Sequence, residues 1–344
     1  MRDNIIRALK KLYFHYFGEK PDYIDLLPYG GSNRNYYRVV SQRFSAIGVY
    51  NSDKEENETF LYMTNFFLAE NIPVPVVYLT NLDENVMLLK DLGDQTLFSV
   101  ITGMDDVHDK EELLKSMFKK VVSELARIQV VAGKKFDFSK CYAGSEFDKS
   151  AVFFDLEYFR REFLDQVKLN YPKIELKKDF QKLADFVDSA DKIFFMYRDF
   201  QSRNIMIYQD KYYFIDYQGG RKGPMQYDLA SLLFQARAGI PEKVREEILE
   251  YYVQIIRMFT PTLREEFLCH YYTIALVRVL QTLGAYGLRG LKEQKSHFIR
   301  SIPFALNNLN TLSEKVDMLS DLPHLDKVIN ILKHTKLNNY GIQQ

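Results

Sequence analysis

The chain of 344 residues is long enough to bury a full core and suggests about two lobes. Hydrophobic residues make up 47% of it and charged residues 27%, as is ordinary for a globular protein. Lys plus Arg and Asp plus Glu number 46 each, so no overall field favours binding to nucleic acid or to an acidic lipid surface.

The first seventeen residues are predicted to form an amphipathic helix. Apolar residues recur at helical spacing from Ile5 to Tyr16, and charges interrupt them. The segment lacks the uninterrupted apolar run of a signal peptide or a membrane span, so we expect a cytoplasmic protein. Cys141 and Cys269 are far apart and lie in no metal-ligand pattern, so we expect two reduced thiols.

A glycine-rich turn follows, between strand-like runs at residues 24–27 and 36–40. It contains, in order, Gly30, Gly31, Ser32, Asn33 and Arg34. Adjacent glycines let backbone amides approach a phosphate closely, and the three polar side chains add donors. The turn is therefore a candidate for binding a nucleotide phosphate, although the same residues would also make a plain hairpin turn.

The next segment predicts the rest of a small mixed lobe. Residues 44–50 form a strand, and Asp53 with Glu56 forms a capping box that opens a helix to about residue 71. A further apolar strand at residues 86–89 leads into a polar crossing. In an ATP-binding cleft this hinge would read the adenine edge through the backbone of Leu89, Lys90, Asp91 and Leu92; the alternative is a surface turn.

The remainder of the chain is predicted to be mainly helical. A second capping box, at Asp109 and Glu112, starts a helix to about residue 131. Further helices are predicted at residues 150–169, 179–190, 227–238, 242–259, 263–287, 292–309 and 324–334. The predicted fold class is α+β, with an antiparallel sheet in a small N-terminal lobe (1–94) and a larger helical C-terminal lobe (95–344).

Two short strands joined by a turn each end in polar residues in the middle of the chain. The first, at residues 194–197, leads to Asp199, and Asn204 lies five positions further on. The second, at residues 212–215, leads to Asp216, twelve positions after Asn204. This Asp–Asn–Asp series has the spacing of a kinase catalytic loop followed by a metal-binding loop.

The chemistry of these three residues suits phosphoryl transfer from ATP. Asp199 can accept a hydrogen bond from an acceptor hydroxyl and take its proton late in the reaction. Asn204 and Asp216 offer oxygen ligands to Mg²⁺, which bridges ATP phosphates, and no Cys or His cluster argues for zinc. Arg198 or Arg203 could offset the acidic cluster or reach a phosphate oxygen.

Asp228 begins the apolar helix predicted at residues 227–238. An acid in that place is interpreted as a cap or a brace for the preceding loop rather than as a substrate contact. The alternative for the loop acids as a group is that they are solvated and inert.

These motifs resemble those of the aminoglycoside phosphotransferase and choline kinase superfamily, whose members are relatives of protein kinases. The runs that carry the resemblance are GSNRNYYRV (31–39), LLKDLGD (88–94), YRDFQSRN (197–204), IDYQ (215–218) and GPMQYDLASLL (223–233). The last two are typical of one branch, the bacterial cell-wall sugar kinases, which phosphorylate N-acetylmuramate and N-acetylglucosamine at the anomeric hydroxyl. The resemblance covers residues 27–309 and implies a bilobal, protein-kinase-like fold that uses ATP and Mg²⁺.

Two features depart from the superfamily pattern. Tyr197 stands where a His is usual, and in relatives that His is mostly a structural brace. The strand at residues 44–50 has no lysine where kinases place one against the α- and β-phosphates; Lys54 lies just beyond it. The sugar-kinase branch also lacks this lysine, so its absence favours that branch and leaves the phosphate contact unassigned.

The leading hypothesis is an ATP- and Mg²⁺-dependent sugar 1-kinase in cell-wall sugar recycling. It would act on a small-molecule sugar, with neither nucleic acid nor membrane as a partner, and would supply a sugar 1-phosphate to a nucleotidyltransferase. Candidates for the sugar pocket are Glu157, Arg160 and Arg278, but each is explained equally well as a solvated helix charge or a structural ion pair.

Two other hypotheses stay open. The acceptor could be an aminoglycoside, choline or another small alcohol; a cationic acceptor would need an acidic cleft, for which the candidates are Asp148, Asp155, Glu157 and Asp165. The third hypothesis is a pseudokinase that binds nucleotide and regulates a partner. Only the missing lysine and Tyr197 support it, and the retention of Asp199, Asn204 and Asp216 argues against it.

Overall fold

The computed structural model describes residues 2–28, 34–104 and 108–334. The chain divides into two compact units. The first comprises residues 1–100, 139–143 and 203–219, and the second comprises residues 101–138, 144–202 and 220–344. Asn204 and Asp216 therefore belong to the first unit and Asp199 to the second.

A five-stranded antiparallel sheet forms the centre of the first unit. Its strands are β1 (Tyr23–Leu26), β2 (Asn35–Val40), β3 (Ser45–Tyr50), β4 (Val77–Asn81) and β5 (Val86–Lys90). They lie in the order β1-β2-β3-β5-β4, with every neighbouring pair antiparallel. β3 lies at the centre of the sheet. Its small and β-branched residues suit a strand that is packed on both faces.

Helices cover the two faces of this sheet. The helix α1 (Arg2–Phe17) buries Leu9 and Tyr13 against one face, together with strand residues such as Val39 and Leu88. On the other face Val49, Met87 and Leu89 pack against apolar residues of α2 (Lys54–Ala69). The short helix α3 (Leu97–Thr102) follows along the chain.

The strand pairing around residues 194–223 differs from the sequence prediction. β6 (Phe194–Met196) pairs with β9 (Arg221–Gly223), while β7 (Ile205–Tyr208) pairs with β8 (Lys211–Phe214). The two predicted strands therefore do not pair with each other. The reason is the turn at Gln209 and Asp210, whose φ angles of 49° and 58° are those of a tight two-residue hairpin that pairs β8 with the overlooked β7.

The second unit is mainly helical. Its helices are α4 (Lys110–Ala126), α5 (Lys149–Phe159), α6 (Lys173–Asp188), α7 (Gln226–Leu233), α8 (Glu242–Ile256), α9 (Arg264–Tyr286), α10 (Ser296–Ile299), α11 (Ile302–Ser313) and α12 (Pro323–His334). The longest of them, α9, packs against α5, α7 and α11. The α+β class, with an N-terminal antiparallel sheet and a mainly helical remainder, is confirmed.

Several helix predictions were wrong in detail, among them the helix predicted at residues 292–309, which is divided into α10 and α11. Asp109 has a left-handed backbone with φ of 61° and makes no side-chain cap, so the predicted capping box at α4 does not form. The helix predicted at residues 150–169 is interrupted after Phe159 by a wider π-helical turn, Arg160–Leu164. Among the described residues, no helix combines the length and apolar character that crossing a membrane requires.

Candidate active site

Arg34 is a buried cation in the first unit. Only 7% of its side chain is exposed, and its guanidinium forms an ion pair with Glu56 in the first turn of α2. The same guanidinium lies 3.5 Å from Asp216 Oδ1 and donates to the Tyr36 hydroxyl at 3.2 Å. Burial acts to lower the pKa of Arg34, but Tyr36 and the two carboxylates raise it above the usual value, so the residue stays charged.

Glu56 serves this ion pair rather than the predicted capping box. Asp53 does cap α2, because its carboxylate accepts a hydrogen bond of 3.1 Å from the Glu56 amide. The reciprocal bond is missing, since the Glu56 carboxylate instead accepts from Arg34, from the Asn51 side-chain amide at 2.6 Å and from the Tyr142 hydroxyl at 3.2 Å. Glu56 is thus fixed from three sides with Arg34 as its counter-ion.

Gly48 of β3 faces α1. A Cβ atom built at Gly48 would lie 2.7 Å from both terminal methyl carbons of Leu9, which is fully buried. The helix α2, which carries Glu56, packs on the opposite face of the sheet, so a lysine at Gly48 would point away from Glu56. Lys54 is exposed at the start of α2, whereas Arg34 is buried against Glu56. In protein kinases a strand lysine pairs with a helix glutamate, and here Arg34 makes the corresponding type of pair.

The β7–β8 hairpin brings Asn204 and Asp216 together. The Ile215 amide donates to the Asn204 carbonyl at 3.0 Å, and Asn204 Nδ2 lies 3.4 Å from Asp216 Oδ2. Asp216 has a left-handed backbone with φ of 67° and accepts a hydrogen bond of 2.8 Å from Gln218 Nε2. Left-handed backbone at a residue other than glycine is uncommon and is concentrated at functional sites.

The donor set at this hairpin fits Mg²⁺. An amide oxygen and a carboxylate are hard ligands, and Mg²⁺ keeps several water or phosphate ligands, so it needs only one or two from the protein. Within residues 2–28, 34–104 and 108–334, no three His, Cys, Asp or Glu side chains are grouped to hold a metal by themselves. Asn204 and Asp216 are the residues that would hold the ion.

Tyr217 fastens the loop after β8 to α2. Its ring stacks on Phe60 and meets Phe67 edge-on, with centroid distances of 5.3 Å in both cases. Its hydroxyl is hydrogen-bonded to the Thr64 hydroxyl, and burial raises the pKa of the phenol well above its usual value. Asp216, the preceding residue, is therefore held relative to the helix that carries Glu56.

The predicted hinge residues lie at and beyond the end of β5. Leu89 and Leu92 are buried, and the Lys90 ammonium lies over the rings of Tyr208 and Tyr213 at 4.9 and 5.4 Å. The Asp91 carboxylate forms an ion pair with Arg38 and accepts hydrogen bonds from an Arg38 η-nitrogen at 3.3 Å and from the Gly93 amide at 2.9 Å, which shapes the crossing after the strand. The predicted nucleotide-loop residues Gly30, Gly31, Ser32 and Asn33 lie outside the described residues.

Asp228 braces the loop that carries Asp199 in the second unit, as predicted. It is fully buried, and its carboxylate accepts hydrogen bonds from the backbone amides of Tyr197 at 2.7 Å and Arg198 at 2.9 Å. A third bond of 2.8 Å comes from Gln129 Nε2. Burial raises the pKa of Asp228 to about 7, although the three hydrogen bonds act in the opposite direction.

Arg198 is used inside the second unit. Its backbone has φ of 80°, and its guanidinium donates to both oxygens of Asp155 at 2.8 Å. The guanidinium lies between the rings of Phe147 and Tyr227, at 4.8 and 4.9 Å from their centroids. The start of the loop is therefore held by the carboxylates of Asp228 and Asp155 and by the two rings. The positive charge of Arg198 is balanced by Asp155.

Asp199 lies on this fixed loop with half of its side chain exposed. Its Oδ1 is 3.6 Å from an η-nitrogen of Arg278, which is buried on α9. Arg278 in turn donates to the hydroxyls of Ser231 and Thr282, both at 2.7 Å, and to the Gln281 side chain. The solvent-exposed carboxylate of Asp199 therefore has a rigidly held cation, Arg278, beside it.

The roles of three residues in this arrangement were not predicted: Arg278 was a candidate for the sugar pocket, Glu56 was assigned to a capping box, and Gln129 was given no role. Arg278 carries the single charge of the apolar run 274–280, which was the available signal for a buried role. Gln129 likewise interrupts an apolar stretch, and it both donates to Asp228 and accepts from the Tyr252 hydroxyl. Glu56 gave no such signal, because a capping role explained it.

The phosphotransferase enzyme family matches this chain over residues 24–266, which is more than half of its length. A relative by sequence is the N-acetylmuramate/N-acetylglucosamine kinase of Neisseria meningitidis serogroup B. It is 21% identical over 295 residues, which cover 84% of this chain and 85% of that protein.

Solved structures show the same fold at low identity. The choline kinase of Streptococcus pneumoniae matches with a TM-score of 0.59 at 15% identity, covering 89% of this chain and 99% of that one. A spectinomycin phosphotransferase, solved with ADP and spectinomycin, matches with a TM-score of 0.57 at 13% identity, covering 89% and 93%. The protein-kinase-like fold implied by the sequence motifs is thereby confirmed.

Proposed function

This chain belongs to the phosphotransferase enzyme family, and we propose that it transfers the γ-phosphoryl group of ATP to the anomeric hydroxyl of N-acetylmuramate or N-acetylglucosamine. The sequence relative from Neisseria meningitidis is named as a kinase of N-acetylmuramate and N-acetylglucosamine. The observation that carries the proposal is the state of Asp199: a half-exposed carboxylate on a loop whose backbone is fixed by a buried acid.

In the proposed reaction Asp199 orients the acceptor and receives its proton. The acceptor oxygen forms a bond to the γ-phosphorus as the bond from that phosphorus to the bridging oxygen of ADP breaks, and ADP carries away the electron pair. An anomeric hydroxyl is more acidic than an ordinary alcohol, so Asp199 need only take the proton late. Arg278 positions the carboxylate and balances its charge before the proton arrives.

Arg34 and the β7–β8 hairpin are proposed to serve the phosphates of ATP. Arg34 is a charged, buried donor whose orientation is set by Glu56, so it can contact a phosphate oxygen without reorganising. Asn204 and Asp216 would hold Mg²⁺, which when bound would neutralise charge on the phosphates. Gly30, Gly31, Ser32 and Asn33 add backbone and side-chain donors, and the backbone of Leu89, Lys90, Asp91 and Leu92 reads the adenine. In this scheme residues 1–94 form the nucleotide-binding lobe and residues 95–344 carry the catalytic and metal loops.

The engagement of four acids argues against a cationic acceptor. Asp148 caps α5 through the Ala151 amide, and Asp155 is paired with Arg198. Glu157 and Asp165 both pair with Arg160. The four carboxylates proposed as an acidic cleft for an aminoglycoside or choline are therefore already bonded within the second unit.

Arg34 also weakens the hypothesis of an inactive, nucleotide-binding regulator. That hypothesis depended on the missing lysine, and a buried arginine paired with a helix acid supplies the same charge. Tyr197, its other support, is a buried residue packed edge-on against Phe200, as a structural brace requires.

The test is ADP release by the purified protein with a panel of acceptors: N-acetylmuramate, N-acetylglucosamine, choline and an aminoglycoside. We expect turnover with the amino sugars, a sugar 1-phosphate as product, and loss of turnover in Asp199→Asn with nucleotide binding retained. Turnover with choline or the aminoglycoside alone would show that the proposed acceptor is wrong. ATP binding without turnover on any acceptor would overturn the proposal. The product is the kind of compound that a cytoplasmic nucleotidyltransferase consumes, so we propose that reaction class as the next step.

A further inference from the structure

Gln218 is a buried side chain beside the proposed metal residue Asp216. Only 6% of the residue is exposed, and its Nε2 donates a hydrogen bond of 2.8 Å to Asp216 Oδ1. Because a carboxylate oxygen can only accept, the NH₂ end of the carboxamide must face Asp216. The orientation of the Gln218 side chain is therefore fixed by its neighbour.

The other end of the same carboxamide has no hydrogen-bond partner. Gln218 Oε1 is buried, and no donor in residues 2–28, 34–104 or 108–334 bonds to it. It does not reach solvent, so a bound ligand would not satisfy it either. A buried acceptor without a partner destabilises a fold, and an apolar side chain of similar shape would remove that cost. Stability therefore does not account for a glutamine at this position.

The two carboxylate oxygens of Asp216 have different neighbours. Oδ1 faces Gln218 and also lies 3.5 Å from Nη1 of Arg34, whereas Oδ2 lies 3.4 Å from Nδ2 of Asn204. The packing of Tyr217 holds the backbone here, but the terminal torsion of an aspartate side chain is soft. The bond from Gln218 to one oxygen restricts that torsion and keeps the other oxygen on the side of Asn204.

We propose that Gln218 is a positioning residue of the magnesium site. It holds Asp216 Oδ1, so that Oδ2 stays beside Asn204 and both proposed ligands can serve one ion. A carboxylate that is already oriented loses less rotational freedom when the metal binds, so the affinity for Mg²⁺ is higher. The inference rests on the proposed metal ligands and adds a residue that acts on the ion only through Asp216.

A residue of this kind lowers stability and raises metal affinity, so one substitution should move the two quantities in opposite directions. Gln218→Met keeps the length and approximate volume of the side chain and removes both polar ends, including the unpartnered acceptor. The Asp216 side chain is 39% exposed and lies beside Arg34, so water and the guanidinium still solvate its carboxylate. The melting temperature of Gln218→Met in EDTA should therefore equal or exceed that of the unaltered protein.

The metal is tested by calorimetric titration of the full-length protein with ADP at a series of Mg²⁺ concentrations, and again in EDTA. For Gln218→Met, the Mg²⁺ concentration that gives half of the metal's effect on ADP affinity should rise about 10-fold, the lower end of the usual cost of losing a partner of a metal ligand. ADP binding in EDTA should be unchanged. Gln209→Met, in the exposed turn of the same hairpin, is the matched control and should keep the original Mg²⁺ dependence.

Two comparisons separate this inference from the ligand assignment. In the background of Asp216→Asn, Gln218→Met should have no further effect on the Mg²⁺ dependence, because the glutamine acts through that carboxylate. Additive losses would overturn the inference, as would a lower melting temperature of Gln218→Met with an unchanged Mg²⁺ dependence. If Asp216→Asn itself leaves the Mg²⁺ dependence unchanged, the proposed ligands are wrong and the inference is overturned with them. None of these measurements requires turnover.

Discussion

The guanidinium of Arg34 and the carboxylate of Glu56 form an ion pair that joins the residue before β2 to the first turn of α2. Asn51 and Tyr142 donate to the same carboxylate, so the acid is fixed independently of its cation. We propose that Arg34 supplies the positive charge that a strand lysine supplies in protein kinases. Its position next to Asp216 makes it the residue whose removal is most informative.

We predict that Arg34→Ala lowers kcat/KM for ATP by about 100-fold, the usual scale for the loss of one preorganised charge-stabilising donor. The kcat/KM of Arg34→Lys should lie between those of Arg34→Ala and the unaltered protein, because an ammonium keeps the charge but lacks the planar fork of the guanidinium. Steady-state kinetics with varied ATP measures both. The control is Arg43→Ala, an exposed arginine paired with Glu19, which should behave as the unaltered protein. Equal ATP dependence in Arg34→Ala and Arg43→Ala would contradict the assignment.

For the hairpin residues, we predict that Asp216→Asn and Asn204→Ala each weaken the binding of Mg²⁺ with ADP. The loss should be larger for Asp216→Asn, since it removes a charge as well as a ligand. Calorimetric titration with ADP at fixed Mg²⁺, and again in EDTA, provides a readout that does not require catalysis. Asp210→Asn is the matched control: it lies in the turn of the same hairpin, where a left-handed backbone suits Asn. If EDTA weakens ADP binding in both site variants as much as in the unaltered protein, Asn204 and Asp216 are not the metal ligands.

Arg278→Ala is predicted to reduce kcat by about tenfold or more while leaving the KM for ATP unchanged. The arginine contacts Asp199 and the second unit, so its loss disturbs the acceptor's partner without touching the proposed nucleotide residues. Arg278→Lys should recover part of kcat. Arg264→Ala, on the same helix but paired at the surface with Glu250, is the control. A change confined to the KM for ATP would show that Arg278 does not position Asp199.

Asp228 should give the folded protein a specific pH dependence. Its pKa is raised to about 7 by burial, whereas an unfolded Asp titrates near ~3.9. Between roughly pH 4 and pH 7 the folded state keeps a proton that the unfolded chain has released. The free energy of unfolding contributed by this group therefore falls as pH rises through that window and is level above it.

Urea unfolding of Asp228→Asn at several pH values tests this expectation. The variant cannot titrate at this position, so the difference between the two proteins should carry the slope. It should also be less stable by ~1–3 kcal/mol, because an Asn cannot accept from all three N–H donors. Asp83→Asn, in an exposed turn, should retain the original profile. A flat difference curve from pH 4 to pH 7 would refute the raised pKa.

Gly48→Ala is predicted to destabilise the protein by roughly 1–3 kcal/mol, the usual effect of overpacking. The added methyl would lie 2.7 Å from the Leu9 methyl carbons. In the double variant with Leu9→Ala the two changes should be less harmful than their sum, because each makes room for the other. Chemical denaturation of the three variants gives the coupling, and simple additivity would mean that Leu9 is not the obstacle.

Sequence reasoning recovered those features that depend on local pattern. Apolar periodicity predicted α1, and the acid at the start of an apolar helix predicted the bracing role of Asp228. It failed at the strands of residues 194–197 and 212–215: the first pairs with the distant segment 221–223, and the second pairs through a tight hairpin with β7, which was not predicted. Glu56 shows the limit most clearly. The local sequence predicts that its carboxylate closes a capping box, but in the structure the carboxylate pairs with Arg34, which is distant in sequence.

Tyr217 has a consequence for how the sequence can vary among descendants of this protein. Its ring fills the space between Phe60 and Phe67, and its hydroxyl depends on Thr64. Replacing Thr64 by Val would remove the hydrogen bond between the two hydroxyls, whereas after Tyr217→Phe the Thr64 hydroxyl would still donate to the Phe60 carbonyl at 2.7 Å. A change at position 64 should therefore be inherited together with a change at position 217 more often than the reverse.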